Sequence, residues 1–80
     1  MATKPYRGKI YNWHKHSFDV KSAEEFYGES VGLGYVIYGF RTKEPRMGSR
    51  YHTSWVVKHL PSGWITTRNS RYKLVGKEVI

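Results

Sequence analysis

The sequence predicts a small all-β domain: an SH3-like barrel or half-barrel of about five strands with one short helix or loop insertion. Three observations carry this. Short runs of β-branched and aromatic residues alternate with turn-forming residues throughout the 80 residues. Two tight turns separate the last three runs. No heptad pattern, internal repeat or long helical periodicity is present. A chain of this length makes one domain, residues 1–80, with a small core.

The first strand is read over Tyr6–Trp13, where Ile10, Tyr11 and Trp13 are β-formers and Gly8 marks a bend or bulge. One short helix is possible after it. Ser22 and Glu25 have the spacing of a capping box, and Gly28 would stop the helix within two turns. The second strand is read over Leu33–Thr42. Leu33, Tyr35 and Ile37 fall on one face and Val36, Tyr38 and Phe40 on the other, so both faces are apolar. Gly34 and Gly39 would allow the bending that a small barrel needs. Tyr51–His59 reads as the third strand and Trp64–Thr67 as the fourth. Leu60-Pro61-Ser62-Gly63 between them joins the two as a hairpin, with Pro and Gly where a type I turn places them. Arg68-Asn69-Ser70-Arg71 is a second turn, and Tyr72–Val75 a fifth strand. Trp13, Trp55 and Ile65 are assigned to the core.

Charge gives the first functional indication. Fourteen Lys and Arg oppose six Asp and Glu, for a net charge of +8. Such a field favours anionic partners: nucleic acid, an acidic protein surface or a nucleotide. Lys43–Lys73 is the more basic part, with Glu44 its single acid. The alternative is a solvated basic surface that keeps a small protein soluble. No cysteine is present, so neither a disulfide nor a thiolate metal site can form. The apolar runs are too short for a signal peptide or a membrane span, and the expectation is a soluble, cytoplasmic protein with no membrane partner.

Catalytic chemistry finds little footing. Asp19 is the single aspartate, the serines lack a nucleophile motif, and the glycines lack phosphate-loop spacing. His14 and His16 have the spacing of a two-histidine metal grip, but further ligands are not evident. The expectation is a non-enzymatic binding protein with no metal and no cofactor. The aromatic residues are the more informative feature: three Trp, seven Tyr and three Phe exceed what so small a core needs. Exposed aromatics beside Arg and Lys suit single-stranded nucleic acid, through stacking and phosphate neutralisation. They equally suit a protein interface. The candidate nucleic-acid or anion-binding residues are Arg50, Tyr51, His52, Lys58, Arg68, Arg71, Tyr72 and Lys73. Tyr72 alternates with Leu74 and is open to a core reading as well.

The stretch His52-Thr53-Ser54-Trp55-Val56-Val57, followed after a turn by Thr66-Thr67-Arg68-Asn69-Ser70-Arg71-Tyr72-Lys73-Leu74, resembles the C-terminal half of a group of small tailed-bacteriophage proteins. Their pattern is "TS-x-V-V" and then "T-x-N-S-x-Y-x-L". Gly8-Lys9-Ile10 and Gly34–Gly39 look similar to their leading strands, whereas Val20–Leu33 departs from the pattern by its length. The resemblance covers about half the chain and implies origin more than activity. Small phage proteins of this kind often act by binding. The leading expectation is therefore nucleic-acid binding. The alternatives are an inhibitor of an acidic host protein, such as one of a bacterial defence system, and a sponge for a nucleotide signal. The last would call for a homo-oligomer. The Thr and Ser residues of the resemblance also have a structural reading: hydroxyls of Thr53 and Ser54 bonding across to Thr66 and Thr67, and Asn69 in a left-handed turn.

Overall fold

The computed structural model describes residues 4–43 and 49–79. Glu44 and Arg46, counted above in the basic stretch, lie outside the described residues. Six strands and one helix follow the order β1 (Tyr6–Ser17), α1 (Val20–Tyr27), β2 (Tyr35–Phe40), β3 (Arg50–His52), β4 (Val56–His59), β5 (Trp64–Thr67) and β6 (Arg71–Val75). They form one sheet in the order β3-β2-β1-β6-β5-β4. Every neighbouring pair is antiparallel except β1 and β6, which run parallel.

The expectation of an all-β fold with a short helical insertion is met; the expected strand count is corrected from five to six. Tyr51–His59 is two strands, because the chain leaves the sheet at Thr53–Trp55. That break shapes the whole sheet. β3 and β4 are its opposite edges, yet only Thr53, Ser54 and Trp55 connect them. In a flat sheet of this size the edges would stand about 24 Å apart, while four Cα steps span about 14 Å at most. The sheet therefore curls. Backbone bonds hold the two edges close without a ladder between them: Thr53 N–H donates to Ile37 O (2.9 Å), Leu33 N–H to Val56 O (2.8 Å) and Arg68 N–H to Trp55 O (3.1 Å). Thr53 does not bond across to Thr66 or Thr67. Its hydroxyl accepts from Ile37 N–H at 3.1 Å and donates to Ser54 O at 2.7 Å, taking the place of a strand partner.

Inside the curl lies the core: Ile10, Trp13, Ile37, Val56, Ile65, Tyr72 and Leu74, with Tyr35 and Tyr51 packed against it. Ile10 and Trp13 are three apart and still both buried, because a bulge at Asn12 inserts one residue into β1. Opposite it, Gly39 has no room for a side chain. A Cβ there would run into the Ile10 methyl and stand 2.9 Å from Tyr11 O. The β4–β5 hairpin forms as the turn chemistry predicts, with Gly63 N–H donating to Leu60 O at 3.0 Å. In the second turn the buried Thr67 hydroxyl accepts from Ser70 N–H (3.1 Å) and donates to Ser70 O (3.0 Å). Asn69 is not left-handed there; Asn12 is the described non-glycine residue with positive φ.

Helix α1 starts earlier than the capping-box reading placed it. Asp19 is the cap and accepts from Ser22 N–H at 3.3 Å, so Ser22 sits in the first turn rather than at the cap. Gly28 ends the helix in the left-handed conformation. None of the helix's side chains is buried.

Candidate anion-binding groove

The parallel pairing of β1 with β6 brings two ends of the sequence together. Lys9 stands opposite Lys73 in the register of that ladder. Beyond β6 the chain turns at Gly76 and runs alongside β1. Trp13 Nε1–H donates to Gly76 O (3.1 Å), Val79 N–H to Trp13 O (2.8 Å), and Lys15 N–H to a Glu78 carboxylate oxygen (2.8 Å). Between this segment, the Leu60–Gly63 turn and β1 opens a groove of about 910 Å³. Buried Trp13 and Leu74 lie at its bottom, with half-buried Tyr35 and His59 beside them. Lys9, Lys15, Lys73 and Lys77 line it, against Glu78 as the one acid.

The ring groups are held in fixed positions. Tyr35 Oη lies 2.7 Å from His59 Nδ1. The His59 ring meets Trp13 edge-on at 5.8 Å, and Lys15 Nζ lies 5.2 Å from the Tyr35 ring centre. Burial, and then the charge of Lys15, hold the His59 imidazole below its ordinary pKa, with Glu78 opposing. The neutral ring is thereby favoured, and its Nδ1 can accept the Tyr35 hydroxyl proton. Burial and then Glu78 raise the Tyr35 phenol, which keeps that proton in place. Lys73 donates to Ser62 O and lies 5.5 Å from the Trp64 ring. Lys9 and Lys77 are exposed and make no ion pair among the described residues.

The eight sequence-derived candidates do not share one surface. Lys73 alone lines the groove. Arg50 and His52 lie on β3, three strands from β6. Tyr51 and Tyr72 meet inside the molecule, hydroxyl to hydroxyl at 2.7 Å, and Tyr72 is 4% exposed. Its ring is a core element and is not presented to a ligand. Arg71 is half-buried and donates through Nε to Lys4 O at 2.8 Å. Arg68 pairs with Glu29 at 3.0 Å and covers the Trp55 ring at 5.2 Å. Lys58 is exposed on the edge strand β4. Sequence reading missed Lys9, Lys15 and Lys77 because they lie outside the basic stretch Lys43–Lys73. The parallel β1–β6 pairing and the C-terminal segment bring them together, and no local pattern signals either.

Among the described residues no group of three or more His, Asp or Glu is arranged to hold a metal ion, and no helix is long and apolar enough to cross a membrane. Comparison with protein-family models, with curated proteins and with solved structures gives no match.

Proposed function

We propose that this protein is a non-enzymatic, phage-type binding protein that takes single-stranded nucleic acid into the lysine-lined groove, on a curled sheet read as an SH3-like half-barrel. The observation that carries the reading is the groove itself: about 910 Å³ in which four lysines surround Trp13, Tyr35 and His59. Phosphates would meet the lysine ammonium groups, and bases the flat rings between them. The neutral His59, with Nδ1 engaged by Tyr35, leaves Nε2–H as a donor toward the ligand.

The test is fluorescence anisotropy of a short oligothymidylate and a short oligouridylate across a salt series. Each phosphate neutralised on a single strand steepens the plot of log affinity against log salt by about 0.7. Lys15→Ala and Lys77→Ala should each weaken binding and flatten the slope by about that amount. No binding at low salt by the folded protein overturns the reading.

A second reading, inhibition of a host protein, is favoured by a different observation. Phe26 on α1 is 83% exposed and meets the exposed Tyr27 edge-on at 5.0 Å. An exposed aromatic pair beside Glu24 and Glu25 suits a protein surface better than a phosphate chain. Loss of a captured host protein on Phe26→Asp, with oligonucleotide binding unchanged, would support that role.

A further inference from the structure

On the far side of β1 from Lys15, where His14 and His16 alternate with it, the structure builds a second site. His14, Tyr38 and His52 stand opposite one another across β1, β2 and β3. Their rings stack, His14 to Tyr38 at 5.7 Å and 24°, Tyr38 to His52 at 5.5 Å and 25°. His16 meets Tyr38 edge-on at 5.4 Å. Tyr38 is thus clamped on both faces and cannot swing. Beside it lies a cavity of about 240 Å³, lined by Asn12, His14, Tyr38, Gly39, Phe40 and Arg50.

Two groups bring hydrogen-bonding capacity to this cavity. Asn12 adopts φ 49°, a left-handed conformation that side chains rarely hold, at the bulge that shifts the β1–β2 register. The bulge turns an amide toward the cavity, and bulges of this kind re-aim side chains at ligand sites. Arg50 is exposed, and its side chain makes no hydrogen bond or ion pair with a described residue. A planar amide, an exposed guanidinium and fixed rings around a small hollow are complementary to one flat, hydrogen-bonding ring carrying a phosphate.

We infer that this cavity binds a single nucleoside monophosphate unit, its base against Phe40 beside the clamped Tyr38 and edge-read by the Asn12 amide, its phosphate on Arg50. The inference rests in part on the nucleic-acid reading of the groove and deepens it, by naming a nucleotide unit as what the opposite face of β1 recognises. The same chemistry could be offered by a free nucleotide.

Amide-resolved NMR separates these sources. The wild-type protein is titrated with each of the four common nucleoside monophosphates, and separately with short oligonucleotides. Shifts at His14, Tyr38 and Phe40 with free nucleotides identify a nucleotide site; shifts there with the strand alone identify a base held from the strand. Arg50→Ala and Asn12→Gly should each weaken that binding by about tenfold. Both should fold, since Arg50 is exposed and glycine suits the positive φ at position 12. Lys15→Ala and Lys77→Ala should leave the monophosphate shifts in place, so failure of the groove reading and failure of this one are distinguishable. Absence of shifts in the β1–β3 rings with every probe, or equal affinity in the Arg50→Ala and Asn12→Gly proteins, overturns the inference.

Discussion

Tyr72→Phe separates a structural from a ligand-contacting role for the second half of the chain. Tyr72 is 4% exposed, its ring lies 5.7 Å from that of Tyr51, and the two hydroxyls are 2.7 Å apart. The substitution keeps the ring and its burial and removes one neutral hydrogen bond, a loss of about 1 kcal/mol. Half-buried Tyr51 can turn its hydroxyl to water, so no larger penalty follows. In a domain of this size about 1 kcal/mol lowers Tm by about 4–8 °C. A second signature comes from titration. Burial, and then the Tyr51 hydroxyl, push the Tyr72 phenol up to about 12. The folded state holds this proton where the unfolded chain has already lost it. The contribution is therefore full below the unfolded value of about 10 and is lost as pH rises toward the folded value. Wild type should therefore lose stability as pH rises above about 10, and Tyr72→Phe should show less of that alkaline loss. Urea unfolding at neutral and alkaline pH measures both, beside oligonucleotide affinity at neutral pH. Affinity should stay within about twofold, because a buried ring makes no base stack. A tenfold loss of affinity at unchanged stability would refute the reasoning and return Tyr72 to the binding surface.

Other consequences are open to the same assays. Gly39→Ala should destabilise by about 1–3 kcal/mol or more, since its Cβ meets the Ile10 methyl and stands 2.9 Å from Tyr11 O; an unchanged urea midpoint would contradict the close approach of β1 and β2. His59 is held below its ordinary value by burial and Lys15, so its contribution to stability is complete above a pH of about 6.5 and is lost as pH falls through the lower folded value. Unfolding at successively lower pH should show this decline, and His59→Gln should reduce it; the same acid slope in both proteins would count against a buried neutral ring. Arg68→Ala should change stability by less than about 1 kcal/mol, because both Arg68 and Glu29 are about half exposed. A larger drop in urea midpoint would mean that its cover over Trp55 is the stronger contact.

Where local chemistry decides an element, the sequence reading found it. The Leu60–Gly63 and Arg68–Arg71 turns bound β5, and its observed span, Trp64–Thr67, is the expected one. β1 runs four residues further than Trp13, through His14–Ser17, because polar residues on an outer surface give no strand signal. The break at Thr53–Trp55 had none either. A run of β-formers looks continuous, and only the need to cross between sheet edges interrupts it. Asp19 and Ser22 are both competent caps; Glu25 made Ser22 look like the start of a capping box, whereas Asp19 begins the helix one turn sooner. The site was legible as a charge and as a chemistry, not as a place. Basic and aromatic residues were recognised, but which of them meet depends on the parallel β1–β6 pairing and on the C-terminal segment crossing Trp13. No local pattern encodes either.

The distribution of cation partners leads to a further consequence. Lys4 donates to Thr67 O, Arg7 to Ser70 Oγ, Arg41 to Arg7 O and Arg71 to Lys4 O. These bonds tie the N-terminal arm to the β5–β6 turn, but a carbonyl or hydroxyl oxygen neutralises no charge. Among the described residues Arg68–Glu29 is the one side-chain ion pair. The net charge of +8 therefore persists as mutual repulsion in the folded state. Salt screens that repulsion over about 8–10 Å at physiological strength, so the free protein should gain stability as salt rises. Salt also removes the counterion-release advantage of binding a polyanion, so the complex should weaken over the same range. Opposite salt responses of Tm and affinity are what a surface selected for an anionic ligand should show. A surface whose charges were balanced internally would lose stability with salt as its ion pairs were screened. A salt series of Tm without ligand, set against the anisotropy series with it, decides between the two; a Tm that falls with salt would remove the electrostatic basis of the proposed function.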